Sequence, residues 1–358
     1  MSDSVSSPHA ISAQAPRFTC LPEFSRLPTI LVGVLIIRLR DTRRPDPVST
    51  GVGNESNEIQ VSPAPVRHLA LLLFPRPLPL LAEISMTSPI TKPTTPIALT
   101  IAGSDSGGGA GIQADLKTFA ALGVFGCNAI TSLTAQNTLG VQGVWPVPPD
   151  FVRAQIHSVL TDIPVAAIKT GMLAKADIIH AVADSLVDYT SIPLIVDPVM
   201  VATSGDRLLA EDAIQALITR LLPRANLITP NLYEAAALLN DGLAHTHADR
   251  LRQAKQLRAL GAKAVLIKGG HGEGAHAEDL LLTDDGTQTF SAPRLTTRNT
   301  HGTGCTLASA IAAGMARHLA LPDAVAQAKS YLHQALARAD ELHIGQGAGP
   351  VHHFHSFY

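Results

Sequence analysis

The sequence predicts an α/β fold, with a mostly parallel central sheet covered by helices on both faces as a three-layer sandwich. Two observations predict it. From Pro96 onward, short continuous apolar runs alternate with amphipathic stretches of helical length, and strands buried on both faces read as unbroken apolar runs. Polar residues and glycines repeatedly follow those runs, as they do where a parallel strand hands over to a helix.

The elements read in order as follows. Ile97–Ala102 is the first strand, followed by a glycine-rich turn and a helix from about Gly111 to Leu122. Further buried strands fall at Asn128–Leu133, Ala166–Thr170, Leu194–Asp197, Leu227–Thr229 and Ala264–Lys268. Helical segments lie between them, for example Lys175–Val187 and Asp249–Leu260. Asp279–Leu282 and Gln288–Ala292, joined through Asp284-Asp285-Gly286, form a hairpin at one edge. Two helices, about Thr303–His318 and Pro322–Glu341, close the chain. There is no internal repeat, so one domain over residues 94–358 is the economical reading.

Composition narrows the function. The chain has 358 residues, with 27 Lys and Arg against 29 Asp and Glu, a net charge of −2. That balance gives no electrostatic reason for a nucleic-acid or anionic-membrane partner. A bound phosphate must then be held by local geometry. Three cysteines, Cys20, Cys127 and Cys305, show neither paired nor zinc-type spacing, which suits a reducing, cytoplasmic setting.

Residues 1–93 read differently. Their apolar stretches, Ile30–Ile37 and Leu69–Phe74, are broken by Pro, Ser and charge. Both are shorter than the roughly 18 residues of a membrane span. Arg38, Arg40, Arg43 and Arg44 follow the first stretch rather than precede it, unlike a secretory signal. The expectation is a disordered extension, with Met86 a plausible start for the catalytic chain.

Four constellations carry chemistry. The strongest is Asn299-Thr300-His301-Gly302-Thr303-Gly304-Cys305-Thr306, directly before the small-residue helix Leu307–Ala316. Glycines at 302 and 304 permit a tight turn and close approach to a ligand. The free N–H groups of the following helix start favour negative charge. Such a turn binds phosphate and stabilises a transferring phosphoryl group; by spacing alone, a plain loop and helix cap is equally open. Cys305 sits where a thiol pKa tends to fall and could accept a proton from a substrate hydroxyl. A small buried cysteine is the other reading.

The second is Gly103-Ser104-Asp105-Ser106-Gly107-Gly108-Gly109-Ala110-Gly111, followed by Ile112-Gln113-Ala114-Asp115. It lacks the Gly-Lys-Ser/Thr ending of a P-loop and the dinucleotide spacing. Close backbone approach to a flat substrate fits better, with Asp115 as a hydrogen-bond acceptor and Gln136-Asn137 reading a heterocycle edge. Third, Asn231 and Glu234 share a face if a helix starts there; they could hold Mg²⁺ through its waters or simply cap the helix. Fourth, Lys268-Gly269-Gly270-His271 and Asp197-Pro198-Val199-Met200 close strands at the end where ligands bind in open α/β sheets. His352, His353 and His355 lack carboxylate or cysteine partners at metal-binding spacing, which leaves a pocket lid or a solvated tail.

Together these residues resemble the hydroxymethylpyrimidine/phosphomethylpyrimidine kinases of thiamine biosynthesis, within the ribokinase superfamily. The resemblance runs from about Ile97 to Phe354 and includes Lys169–Leu173, Ile228–Glu234 and the ending Gly-Pro-Val-His-His-Phe. It implies a ribokinase-like fold, ATP and Mg²⁺ as cofactors, and two successive phosphorylations of a small pyrimidine. It further implies that Gly103, Asp115, Gln136, Met172 and Val199 line the pyrimidine site, and that Asn231, Glu234, Lys268 and Thr300 serve Mg²⁺ and ATP. Gly302, Thr303, Gly304 and Cys305 would form the anion hole, with Cys305 as base. A homodimer is implied as well. The competing readings are a pyridoxal kinase, against which Gln136 and the C-terminal signature weigh, and a non-catalytic pyrimidine-phosphate sensor, which would not need the metal–phosphate residues.

Overall fold

Alternation along the strands decides how the sheet is covered. Leu99 and Ile101, Ile168, Val196, Ile228, Val265 and Ile267 pack into one core, while Ala98, Ala167, Ile195, Leu227 and Leu266 pack into another. Successive side chains of a strand point to opposite faces. Both faces being apolar, each must be buried under helices. The computed structural model describes residues 95–200, 209, 211–270, 272 and 274–358. The readings of residues 1–93, the Met86 start and His271 lie outside the described residues.

The sheet contains β1 (Ile97–Ser104), β2 (Phe125–Asn137), β3 (Gly140–Pro146), β4 (Ala167–Thr170), β5 (Leu194–Val196), β6 (Leu227–Ile228), β7 (Val265–Ile267), β8 (His276–Thr283) and β9 (Gly286–Pro293). Its order is β3-β2-β1-β4-β5-β6-β7-β8-β9. The six strands from β2 through β7 pair in parallel. The outer pairings β2–β3, β7–β8 and β8–β9 are antiparallel.

Helices α1 (Gly111–Ala121), α7 (Thr303–Ala316) and α8 (Leu321–Ala337) cover one face. Helices α2 (Pro149–Leu160), α3 (Ala176–Ser185), α4 (Glu211–Ala216), α5 (Leu232–Leu239) and α6 (His247–Ala259) belong to the other. The two faces differ in residue size. Under α7 the strands present Ala98 and Ala167, and α7 itself buries Ala308, Ala310, Ala312 and Ala313. Small residues on both sides let the helix axis approach the sheet closely. That approach seats the front of α7 at the carboxyl ends of the strands.

The strands and helices read from sequence occur within a few residues of their expected bounds, and the edge hairpin is β8–β9. β3 was missed. Its residues are exposed or half-buried on both sides, so no continuous apolar run marked it. It pairs with the part of β2 that outruns β1, through Leu133–Trp145 and Gln136–Val141, and so raises a wall beside the strand ends. The C-terminal histidines are also not a solvated tail. His352, His353 and His355 are all buried. Tyr331 donates its hydroxyl to the His353 carbonyl, and His353 Nε2 lies 3.1 Å from Thr306 Oγ1. No described helix is long and apolar enough to cross a membrane.

Candidate active site

The turn before α7 is shaped by backbone rather than by side chains. Gly302 takes φ 80°, ψ 8°, and no side chain caps the helix. A Cβ there would stand 2.0 Å from the Gly109 carbonyl oxygen, so only glycine fits. Thr303 N donates to Thr300 O, and Thr306 N to Gly302 O. Among the described residues the amides of Gly304 and Cys305 have no such acceptor, as first-turn amides lack one within their own helix. The chain end supports this turn. His301 N donates to Gly349 O, and Gly349 N to Asn299 Oδ1.

These amides open into a cavity of about 900 Å³ above the strand carboxyl ends, roomy enough for a small substrate and a nucleotide together. Twelve of the thirteen predicted residues line it: Gly103, Gln136, Met172, Val199, Asn231, Glu234, Lys268, Thr300, Gly302, Thr303, Gly304 and Cys305. The strands β1, β2, β4, β5, β6 and β7 each deliver at least one of the residues at or just beyond their ends, because parallel strands all point their carboxyl ends one way.

Beside the turn, Lys268 Nζ lies 2.8 Å from Asp197 Oδ1 and 3.6 Å from Glu234 Oε2. Thr229 Oγ1 also donates to Asp197 Oδ1. The other Asp197 oxygen, Oδ2, is buried without a partner among the described residues. It lies 3.8 Å from where a Gly304 Cβ would be, and Lys268 Nζ lies 3.4 Å from the same point. Asn231 and Glu234 form a reciprocal capping box, with Glu234 N donating to Asn231 Oδ1 and Asn231 N to Glu234 Oε2. The cap and the cavity wall are therefore the same two residues. Burial pushes the Glu234 carboxyl up to about 6, against the pull of Lys268. Burial acts on Asp197 in the same sense, yet Lys268 and Lys169 hold its carboxyl below the usual range.

The glycine-rich loop after β1 is organised by Asp105. Its Oδ1 accepts from Gly107 N and its Oδ2 from Gly109 N and Ala110 N. His301 Nε2 stands 2.8 Å from Asp105 Oδ2 and 3.3 Å from Gln136 Nε2. Burial opposes the Asp105 charge, but the hydrogen bonds from His301, Ala110 and Gly107 win and lower its pKa. A Cβ at Gly103 would meet Met172 Cε at 2.5 Å, so the thioether packs directly on the loop.

Two expectations are corrected. Asp115 does not reach the cavity. It is fully buried, and its carboxylate accepts from Thr100 Oγ1 at 2.6 Å, Ser309 Oγ at 2.5 Å and Lys169 Nζ at 2.9 Å to each oxygen. It follows Ala114 on the side of α1 that faces the sheet, so helical phase turned it inward. Cys305 does line the cavity, but its thiol is not lowered. Burial pushes it up to about 11, more than the nearby Lys169 and the Gly111 amide pull it down. Desolvation of the thiolate outweighs the helix start.

Several residues in and behind the cavity wall carried no assigned role in the sequence. Asp105, His301 and Asp197 stood inside quoted motifs without an assigned role. Lys169, within an otherwise apolar strand, was the one strong unread signal, since lysine is almost never fully buried unless paired. Asp279 and Lys329 carried no local signal. Lys329 Nζ meets Asp279 Oδ2 at 2.7 Å, and Gly269 N donates to Asp279 Oδ1, a clasp between α8 and the β7–β8 connection that only the tertiary fold creates.

Phosphoryl transfer needs donors fixed in place before charge develops. A turn of free amides with a largely buried lysine beside it, both lining one cavity, meets that need. Fold and site together define the class as ribokinase-like small-molecule kinases. A family model described as phosphomethylpyrimidine kinase matches residues 105–352, and the chain belongs to that family. The hydroxymethylpyrimidine/phosphomethylpyrimidine kinase of Salmonella typhimurium is 55% identical over 261 residues, covering 73% of this chain and 98% of that protein. Among solved structures, Bacillus subtilis pyridoxal kinase in an ADP complex superposes with a TM-score of 0.68 at 37% identity, covering 73% of this chain and 98% of that one. The phosphomethylpyrimidine kinase of Clostridium difficile does so at 0.60 and 41%, covering 67% and 98%.

Proposed function

We propose that the chain uses ATP to phosphorylate 4-amino-5-hydroxymethyl-2-methylpyrimidine, and then phosphorylates the monophosphate to the diphosphate, in thiamine biosynthesis. The observation that carries this reading is the open amide turn Gly302–Cys305 with the Lys268 ammonium beside it in one cavity, in a chain 55% identical to a kinase of that name. In this reading the turn holds the travelling phosphoryl group and Lys268 neutralises charge on the ATP phosphates. Gly103, Gln136, Met172 and Val199 shape the pyrimidine end, with Gln136 offering an amide to the heterocycle edge. Thr300, which lines the same cavity, serves ATP in this reading.

The residues present also fit Mg²⁺. The unpartnered, buried Asp197 Oδ2 beside Glu234 and Asn231 supplies hard oxygen acceptors, the donor type that ion takes, commonly through water. Bound there, it would offset phosphate charge. The reading also takes the chain as a cytoplasmic homodimer, on the resemblance and on the prevalence of twofold assemblies. Light scattering at the 37.6 kDa monomer mass would reject the dimer.

A pyridoxal kinase is the second reading, favoured by the superposition on pyridoxal kinases. The greater identity to pyrimidine kinases weighs against it. A coupled ATP assay on the purified chain, with the pyrimidine alcohol, its monophosphate and pyridoxal as separate acceptors, decides the matter. Turnover of both pyrimidines is expected. A strong preference for pyridoxal would replace the reading, and absence of turnover with every acceptor would favour a sensor.

A further inference from the structure

Where the cavity meets the glycine-rich loop, its wall holds one amide still. Gln136 is pinned through its backbone: its N donates to Ser106 Oγ and its O accepts from the same hydroxyl, each at 2.8 Å. Only rotation of the side chain remains free. At the end of that side chain, Nε2 stands 3.3 Å from His301 Nε2, and Oε1 stands 3.1 Å from Thr134 Oγ1. His301 is itself fixed from two sides. Its backbone N donates to Gly349 O. Its ring lies against the glycine loop, where a Cβ at Gly109 would be 2.5 Å from the ring Cδ2. Asp105, Thr134, Gln136 and His301 all line the cavity.

Counting protons decides which way this amide turns. Asp105 accepts from the backbone N–H groups of Gly107, Gly109 and Ala110, and a carboxylate so surrounded keeps its charge. His301 Nε2, 2.8 Å from Asp105 Oδ2, therefore carries a proton and donates it. It then has no lone pair for the Gln136 nitrogen. The Thr134 hydroxyl has one proton, and Ser104 O, 3.0 Å away, can only accept it. None is left for Gln136 Oε1. Both conflicts vanish when the amide rotates by half a turn about its last bond, which exchanges its oxygen and nitrogen on the same two points. The imidazole N–H is then shared between Asp105 and the amide oxygen, and the amide nitrogen donates to Thr134 Oγ1. One oxygen lone pair and one N–H remain for the cavity, in a fixed order with the oxygen on the His301 side.

We propose that His301, held as an Nε2–H donor by Asp105, is a positioning residue that locks the Gln136 amide and so selects a 4-aminopyrimidine edge over its 4-oxo counterpart. The inference rests on the pyrimidine-kinase reading above. In the aminopyrimidine, a ring-nitrogen acceptor lies beside an amino donor. In the 4-oxo compound a ring N–H lies beside a carbonyl, the same two points with their roles reversed. The hydroxymethyl group must point at the Gly302–Cys305 turn, so turning the ring over would take that edge away from Gln136 rather than reverse it. A glutamine free to rotate would pair with either compound. A glutamine held by His301 and Thr134 pairs with one, and sets donor against donor and acceptor against acceptor in the other.

The test measures kcat and KM of the full chain with the 4-amino alcohol and with its 4-oxo analogue as separate acceptors, at saturating Mg²⁺-ATP. Wild type should prefer the amino compound by about 100-fold in kcat/KM, the scale on which a matched bidentate pair discriminates. His301→Leu leaves the backbone bond to Gly349 in place and should cut that preference at least about 10-fold, with KM for ATP unchanged. His301→Gln, whose amide nitrogen falls where the imidazole Nε2 stood, should restore most of it. A general disturbance of the turn would lower kcat with both compounds alike and leave the ratio where it was. If His301→Leu does not fold, Thr134→Val removes the acceptor at the other end of the amide, and the same ratio should fall. An unchanged ratio, a His301→Gln variant no better than His301→Leu, or a wild-type chain that turns over both compounds equally would overturn the proposal. Pyridoxal in a parallel assay separates the two levels: a chain active on pyridoxal and on neither pyrimidine would overturn the reading on which the inference rests.

Discussion

A methyl group added at Gly302 would sit 2.0 Å from the Gly109 oxygen, on backbone whose φ of 80° already disfavours a side chain. Gly302→Ala must therefore shift one loop or the other. Strain of about 1–3 kcal/mol is expected, together with a kcat loss of about 100-fold as the amides lose their aim. Thermal melting and steady-state kinetics on the same preparation would check both. A variant with wild-type kcat would remove this turn from the chemistry. Lys268 tests the charged group beside the turn. Lys268→Met leaves Asp197 and Glu234 facing each other without their cation, so stability should fall by about 3–5 kcal/mol. KM for ATP should rise as well, while KM for the pyrimidine stays close to wild type. Equal changes in both KM values would mean that Lys268 serves the fold alone.

At the scale of elements, α7 controls the site through its thickness. Gly314, in its last turn, lies where a Cβ would be 2.8 Å from Ala324 Cβ and 3.1 Å from Ala324 Cα. Gly314→Val should push α8 away and cost about 1–3 kcal/mol of overpacking, read as a lower urea midpoint with unchanged slope. An unchanged midpoint would show that the helix pair has slack. The elements also explain which residues were legible. The turn Asn299–Thr306 combined glycines, a following small-residue helix and a position near the chain end, so its role could be read locally. Asp115 could not be placed so simply, because its spacing on α1 was compatible with either the loop side or the sheet side. Helix rotation about one axis decided it, and that rotation is set by Phe119 and Ala114 packing inward. β3 was illegible for another reason. An edge strand exposed on both sides needs no apolar run, and only its pairing with β2 defines it.

Across the whole molecule, the chain end is locked into the body by buried imidazoles, and this makes stability depend on pH. His353 is held neutral, with burial lowering its pKa to about 3, against about 6.5 in an unfolded chain. Above pH 6.5 the ring is neutral in both states and contributes nothing to the pH dependence. Below it only the unfolded chain takes up the proton, so stability is lost as pH falls from 6.5 toward 3. Between pH 7 and pH 5 the loss from this one group is about 2 kcal/mol. His353→Gln should remove most of that loss, seen as a flatter dependence of unfolding free energy on pH in urea titrations. An identical slope would show that His353 is accessible to protons in the folded state.

The sequence by itself determined the layered α/β architecture, the order of the parallel strands' polar tips and the glycine turn before α7. All of these are local: apolar periodicity, helix starts and glycine conformation act over a few neighbouring residues. Only the tertiary structure decided which polar residues face the cavity and which face the core, and what each one's protonation state is. Asp115 and Cys305 stand one helix turn of packing apart in space and 190 positions apart in sequence, yet burial sends one carboxylate into an ion pair and drives one thiol toward its protonated form. Desolvation and pairing depend on everything that surrounds a side chain, and no stretch of sequence contains that.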